Sequence, residues 1–303
     1  MRTTPVVPTS KRQLWLAAIK PPMYSVAIIP ITVGTATAFG ETQLFDVKIL
    51  GTFLLSAILI IAWLNISNDV FDSETGIDEN KAHSIVNLTG NKSLMFWLAH
   101  GFLSLGILGI LLITWWQRDA TVLGIILLCC ILGYSYQGPP FRLGYQGLGE
   151  VICFFTFGPM AIAAAYYSQT QQFSLSSLIP GIIIGISTSI ILFCSHFHQV
   201  EDDLSAGKRS PIVRLGTKVG SQVLTVATIF IFVLTAIFAL LGTISIWTLL
   251  IFLSFPIAYQ LVIHVQKHHD QPDKISNCKF IAVNLHFWSG MLLALGLIVP
   301  QLL

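Results

Sequence analysis

The chain has 303 residues, of which 54% are hydrophobic and only 10% charged, with a formal net charge of +2. An average soluble domain carries about 25% charged residues. This composition therefore excludes a water-soluble surface over most of the chain, and no nucleic-acid partner is expected. Charge-free stretches run through 21–40, 49–68, 93–117, 120–141, 151–200, 219–266 and 280–303, against the roughly 20 apolar residues that one membrane-spanning helix needs. The two longest stretches hold two helices each, broken at Gln169–Gln172 and near Gly242–Ser245.

The pattern predicts nine spans, at 15–39, 46–68, 94–116, 119–137, 148–168, 176–198, 221–242, 244–265 and 281–302. Transmembrane barrels need strands that alternate apolar and polar residues. Runs such as LLSAILIIAWL do not alternate, so the expected fold class is all-α, a polytopic bundle forming one domain over 1–303. No cleaved signal peptide is expected, because the first apolar segment is interrupted by Lys20-Pro21-Pro22 and continues to Phe39. Cys129, Cys130, Cys153, Cys194 and Cys278 lie in or beside apolar spans without metal-ligand spacing and read as small core hydrophobes.

With the N-terminus in the cytoplasm, 14 of the 16 basic residues fall on the cytoplasmic side, leaving Lys48 and Arg118 outside. That asymmetry satisfies the positive-inside rule. Eleven of the 14 acidic residues share that side, where the connections at 69–93, 138–150, 199–220 and 266–280 are long and polar. The chemistry is expected there.

Two acidic clusters stand at corresponding cytoplasmic ends. The second span closes on Asn65, Asn68, Asp69 and Asp72, of which Asn65, Asp69 and Asp72 are spaced i, i+4, i+7 on one helical face. Carboxylates so placed repel one another unless a cation lies between them. Mg²⁺ suits them, taking one or two carboxylates and completing its shell with water and substrate phosphates. The sixth span closes on His196, Gln199, Glu201, Asp202 and Asp203, where His196, Gln199 and Asp203 read as a second polar stripe on a continuing helix. Lys81, His83 and Lys92 follow the first cluster, and Lys208, Arg209 and Arg214 the second. The two clusters suggest related halves, about 15–140 and 148–303. A solvated loop surface, an interfacial anchor and an ion-coupled transporter are the competing readings, and a transporter predicts charged or broken helices near the bilayer midplane.

At these residues the chain resembles the UbiA-type intramembrane prenyltransferases over essentially its whole length. The resemblance rests on Asn68-Asp69-Val70-Phe71-Asp72 with Asp78 downstream, on Tyr136-Gln137-Gly138-Pro139-Pro140-Phe141-Arg142-Leu143 and Gly147-Leu148-Gly149-Glu150, and on Asp203 to Ser210 followed by Val213-Arg214-Leu215-Gly216. Within that superfamily the motifs look most like the 1,4-dihydroxy-2-naphthoate prenyltransferases. The stretch 78–92 with His196-Phe197-His198-Gln199 resembles their phytyl-transferring branch.

The resemblance implies that Mg²⁺ joins Asp69, Asp72, Asp203 and Asp202 to an isoprenoid diphosphate, phytyl diphosphate being favoured, while Lys81, Lys208, Arg209 and Arg142 neutralise its oxygens. Asn65, Asn68, Tyr136 and Gln199 complete the expected substrate contacts. The allylic cation left behind would be shielded by Phe71, Tyr134, Tyr136 or Phe141 and would alkylate 1,4-dihydroxy-2-naphthoate with loss of carbon dioxide, on the route to phylloquinone or menaquinone. Homogentisate and 4-hydroxybenzoate are the alternative acceptors, and the membrane is the cell inner or the thylakoid membrane. One position departs from the family pattern: the second motif usually opens with aspartate four residues before Asp203, where this chain has Gln199. Glu201, Asp202 or a water-mediated Gln199 contact would compensate. Lys20 before two prolines reads as a substrate-carboxylate contact or as a snorkelling lysine at a prolyl kink.

Overall fold

The computed structural model describes residues 11–75 and 84–303. Among these residues the secondary structure is helical, with no strand. Segments long and apolar enough to cross a membrane are α1 (Leu14–Thr42), α2 (Val47–Thr75) and α3 (Lys92–Gln117). A shorter apolar helix, α4 (Thr121–Gln137), comes next. Five more long segments follow: α5 (Gly149–Thr170), α6 (Leu175–His196), α7 (Thr217–Leu240), α8 (Ile246–His268) and α9 (Pro272–Gln301). In lipid a helix satisfies its own backbone groups, which is why the leucine- and isoleucine-rich runs take this form.

The sequence expectation differs from the structure at element ends. The second span continues past residue 68 to Thr75, and a short helix, Ile85–Thr89, forms within the expected loop. The tight turns at the end of α1, α3 and α5 close on Gln43, Arg118 and Gln171, each in the left-handed region and each donating its N–H to the carbonyl four residues earlier. Several of these segments carry internal breaks, and two of them shape the packing. Lys20 interrupts α1 with φ 52°, immediately before Pro21 and Pro22. In α5 a π-turn spans Thr156–Met160 around Gly158-Pro159, the kind of insertion that kinks a helix. A Cβ on Gly158 would stand 2.4 Å from the Gly181 carbonyl of α6, and one on Gly185 would stand 2.7 Å from the Phe154 carbonyl of α5. These two backbones touch directly because only glycine allows it.

The core forms two buried clusters. One joins Phe53, Trp63, Ile110, Ile113 and Val122 of α2 to α4. The other joins Ile183, Ile190, Leu224, Ile231, Leu261 and Leu293 of α6 to α9. α1 and α5 feed both: Ile29 and Ile162 belong to the second cluster, Ile31 and Ala164 to the first. Alternation of direction along the bundle brings the ends of α2, α4 and α6 and the start of α5 to one end, where the long connections lie.

Candidate active site

Along α2 the helical period keeps Asn65, Asp69 and Asp72 on one face, as the spacing predicts. Asp69 is 2% exposed. Its Oδ1 lies 3.1 Å from Lys20 Nζ, and its Oδ2 accepts the Ile85 backbone N–H at 3.0 Å. The left-handed turn at Lys20 thus delivers a cation from α1 to the first acidic motif. Asp72 Oδ1 accepts from Gln137 Nε2 at the end of α4 and from the Tyr145 hydroxyl at 3.4 Å. Asn68 is half-buried, and the Asn65 amide nitrogen is buried without a hydrogen-bond partner.

The second cluster departs from the expected stripe. The α-helix ends at His196, the chain turns through Phe197 and His198, and a separate short helix runs Val200–Ser205. On a continuous helix residues seven apart would be separated by ~10 Å of rise. The turn instead folds Asp203 back, so that its Oδ2 lies 3.2 Å from His196 Nδ1. His196 Nε2 reaches Glu150 Oε1 at the start of α5 at 3.3 Å. A further tight turn at Gly207, φ 70°, returns Lys208 so that its Nζ stands 3.3 Å from Asp203 Oδ1. Asp203 is 0% exposed and Lys208 6%, which gives a buried file of Glu150, His196, Asp203 and Lys208. Burial opposes ionisation of Asp203, but the His196 hydrogen bond and the Lys208 charge outweigh it and hold the carboxyl below its ordinary pKa. Asp202 and Arg209 point outward and are exposed, and Gln199 is half-buried at the turn without capping the short helix.

The connection 138–148 joins the two clusters. Arg142 has a positive φ of 44° and places NH2 3.3 Å from Glu74 Oε2, and Lys92 Nζ lies 2.8 Å from Glu74 Oε1. Tyr136 is half-buried, its ring so close to Gly144 and Gly149 that a Cβ on either would meet it within 2.5 and 2.7 Å. Phe71 and Tyr134 form an edge-to-face pair 5.6 Å apart, while Phe141 is exposed. Lys81, with Asp78 and His83, lies outside the described residues. Gln137, Tyr145 and Lys20 make contacts that sequence reasoning did not assign. Gln137 and Glu150 sat inside quoted motifs, whereas Tyr145 carried no separate signal.

This end of the bundle gathers carboxylates, amides and cations in an all-helical membrane fold. The chain belongs to the UbiA prenyltransferase family, whose pattern matches residues 27–290. It is an integral membrane protein and a prenyltransferase. It is 61% identical over 97% of its length, and 97% of the relative's, to the 2-carboxy-1,4-naphthoquinone phytyltransferase of Synechocystis sp.. A chloroplastic enzyme of that name from Arabidopsis thaliana is 43% identical, across 94% of this chain and 76% of the relative. The structure of a UbiA homologue from Archaeoglobus fulgidus bound to GPP and Mg²⁺ superposes with a TM-score of 0.59 at 15% identity, covering 92% of this chain and 99% of that one. That likeness concerns the fold.

Proposed function

We propose that the protein transfers a phytyl group from phytyl diphosphate to 1,4-dihydroxy-2-naphthoate, the reduced form of 2-carboxy-1,4-naphthoquinone, with loss of carbon dioxide, in phylloquinone biosynthesis. The observation that carries this reading is the 61% identity to a phytyltransferase along 97% of the chain. The paired acid and base at one end of the bundle supports it.

The donor set fits Mg²⁺. Asp69, Asp72 and Asp203 offer hard oxygens at the same end of the bundle, with the amide nitrogen of Asn65 buried unpartnered on the face that carries Asp69 and Asp72. Mg²⁺ is ordinarily held by one or two carboxylates and by substrate phosphate. Asp69, Asp72 and Asp203 would hold it, with Asp202 at the exposed rim. The ion supplies positive charge against the diphosphate oxygens when bound.

The chain's own residues then divide the work. Lys208, Arg142, Arg209 and Lys81 neutralise the diphosphate, with Lys208 positioned by its buried pairing to Asp203. Spreading that charge lowers the barrier to leaving. The allylic carbon–oxygen bond breaks with its electron pair going to diphosphate, and the Phe71 and Tyr134 faces stabilise the allylic cation by ~0.5–2 kcal/mol each. The hydroquinone ring is the electron-rich form, and its carbon bearing the carboxylate attacks the cation. The carbon–carboxylate bond then returns its pair to the ring as carbon dioxide leaves. Asn65, Asn68, Tyr136 and Gln199 line the substrate side.

The proposal includes nine crossings, counting α4, and an N-terminus and active site on the cytoplasmic face, supported by the sequence segments assigned to that face, which hold 14 of the 16 basic residues. A thylakoid membrane fits the phytyl donor. The two core clusters support two related halves within one domain. The test is an assay of membranes with Mg²⁺, phytyl diphosphate and 1,4-dihydroxy-2-naphthoate beside homogentisate and 4-hydroxybenzoate. Decarboxylated, phytylated naphthoquinol is expected. Product with another acceptor alone would move the assignment within the family, and absence of product with every aromatic acceptor would overturn it.

A further inference from the structure

Asp72 and Lys208 sit on elements 136 residues apart, and the connection 138–148 spans the gap between them. Both ends of that connection grip one oxygen. Gln137, which precedes it, and Tyr145, near its close, donate to Asp72 Oδ1. Tyr145 makes three further ties. Its hydroxyl shares a 2.6 Å hydrogen bond with Thr75 Oγ1, one turn beyond Asp72. Its ring lies 5.9 Å from Lys208 Nζ, within cation–π range. Its backbone carbonyl accepts the Arg209 N–H at 2.8 Å. One residue therefore touches the first acidic motif through its hydroxyl, the second basic segment through its ring, and that segment's backbone through its carbonyl.

We infer that Tyr145 is a positioning residue for the diphosphate half of the reaction, setting the distance between Asp72 and Lys208 so that both reach one diphosphate. This rests on the prenyl-transfer reading above. The carboxylate stands on the end of a 29-residue helix and the ammonium on a loop, and Tyr145 contacts both. Without the phenolic hydroxyl, Asp72 keeps Gln137 but loses its contact with Tyr145, the residue that also meets Lys208 and Arg209. The acceptor ring has no part in this contact, so its binding is insensitive to the change.

The experiment uses the full chain in lipid nanodiscs and compares wild type, Tyr145→Phe and Tyr145→Leu. Tyr145→Phe removes only the hydroxyl. It is expected to raise KM for phytyl diphosphate about tenfold, the worth of a hydrogen bond to a charged group, with acceptor KM within twofold and an unchanged melting midpoint. Tyr145→Leu removes the ring as well and is expected to raise the donor KM further. Calorimetric binding of magnesium pyrophosphate, weakened in the same order, supplies a readout independent of any acceptor. An unchanged donor KM and pyrophosphate affinity in Tyr145→Phe would overturn the inference. So would equal rises in both KM values with a lowered melting midpoint, which would mark a purely structural role. Wild type inactive with every acceptor but binding pyrophosphate in the same rank order would overturn the proposed acceptor chemistry and leave the positioning role standing.

Discussion

The two ends of the bundle are held together by different chemistry. At the end carrying the candidate site, carboxylates are buried against cations: Asp69 with Lys20, Asp203 with Lys208 and His196. At the far end the ties are mostly neutral donors on short turns, organised around the close of α5. Tyr166 donates to Glu41 at 2.6 Å, Tyr167 donates to Asp119 at 2.9 Å, and Gln169 exchanges two hydrogen bonds with the backbone of Asp46. Gln301 donates to the Gly40 carbonyl at 2.7 Å, which fastens the last helix to the first. Buried ion pairs are costly to assemble and weak evidence for stability. The far end closes without a buried ion pair of the Asp203–Lys208 kind among these ties, so the expensive end is the one with a second purpose.

Breaking the charged end should cost function most. Asp72→Ala is expected to reduce phytyl transfer by at least about a hundredfold, the scale of losing one electrostatic contact to a developing charge, measured as initial rate at saturating Mg²⁺. Lys208→Met should lower stability by about 3–5 kcal/mol, because Asp203 is left buried without its ammonium. Denaturant unfolding in mild detergent checks this, and the double variant Asp203→Leu with Lys208→Met should recover much of the stability without recovering activity.

Smaller effects sharpen the contrast. Lys20→Met removes a cation that occupies Asp69 Oδ1. The Mg²⁺ concentration for half-maximal activity is then expected to fall severalfold in a metal titration, and an unchanged value would show that Lys20 does not compete there. At the far end, Tyr167→Phe should leave activity unchanged and lower the melting midpoint by a few degrees at neutral pH. The Asp119 carboxyl is held below its ordinary pKa by the Thr121 hydroxyl and N–H and by Tyr167. A depressed carboxylate contributes stability above its unfolded pKa and loses it as pH falls through the folded value. The difference between variant and wild type should therefore begin to shrink as pH falls below about 4 and vanish only below the lowered folded pKa.

Much of the fold was legible because lipid imposes a single rule on the sequence: long apolar runs become helices, and charged connections lie outside them. The first acidic face was legible for a related reason, since Asn65, Asp69 and Asp72 obey the helical period on an unbroken helix. The second cluster was not, because its geometry depends on a break after His196 that no proline or glycine announces at that point. Partners remote in sequence were equally hidden. Lys20 meets Asp69 across 49 positions and Gln137 meets Asp72 across 65, and no local periodicity encodes such pairs. Lys20 was visible as a basic residue before two prolines, but its partner was not.

The glycine contact between α5 and α6 bears on how a long isoprenoid tail travels. Where Gly158, Gly181 and Gly185 meet, the two helices touch backbone to backbone, so a side chain swinging aside would not by itself open a passage. A seam of that kind is a weld rather than a door. Traffic of tail and product between the site and the surrounding lipid must therefore pass elsewhere on the circumference of the bundle, between helices whose contact is made by side chains that can part.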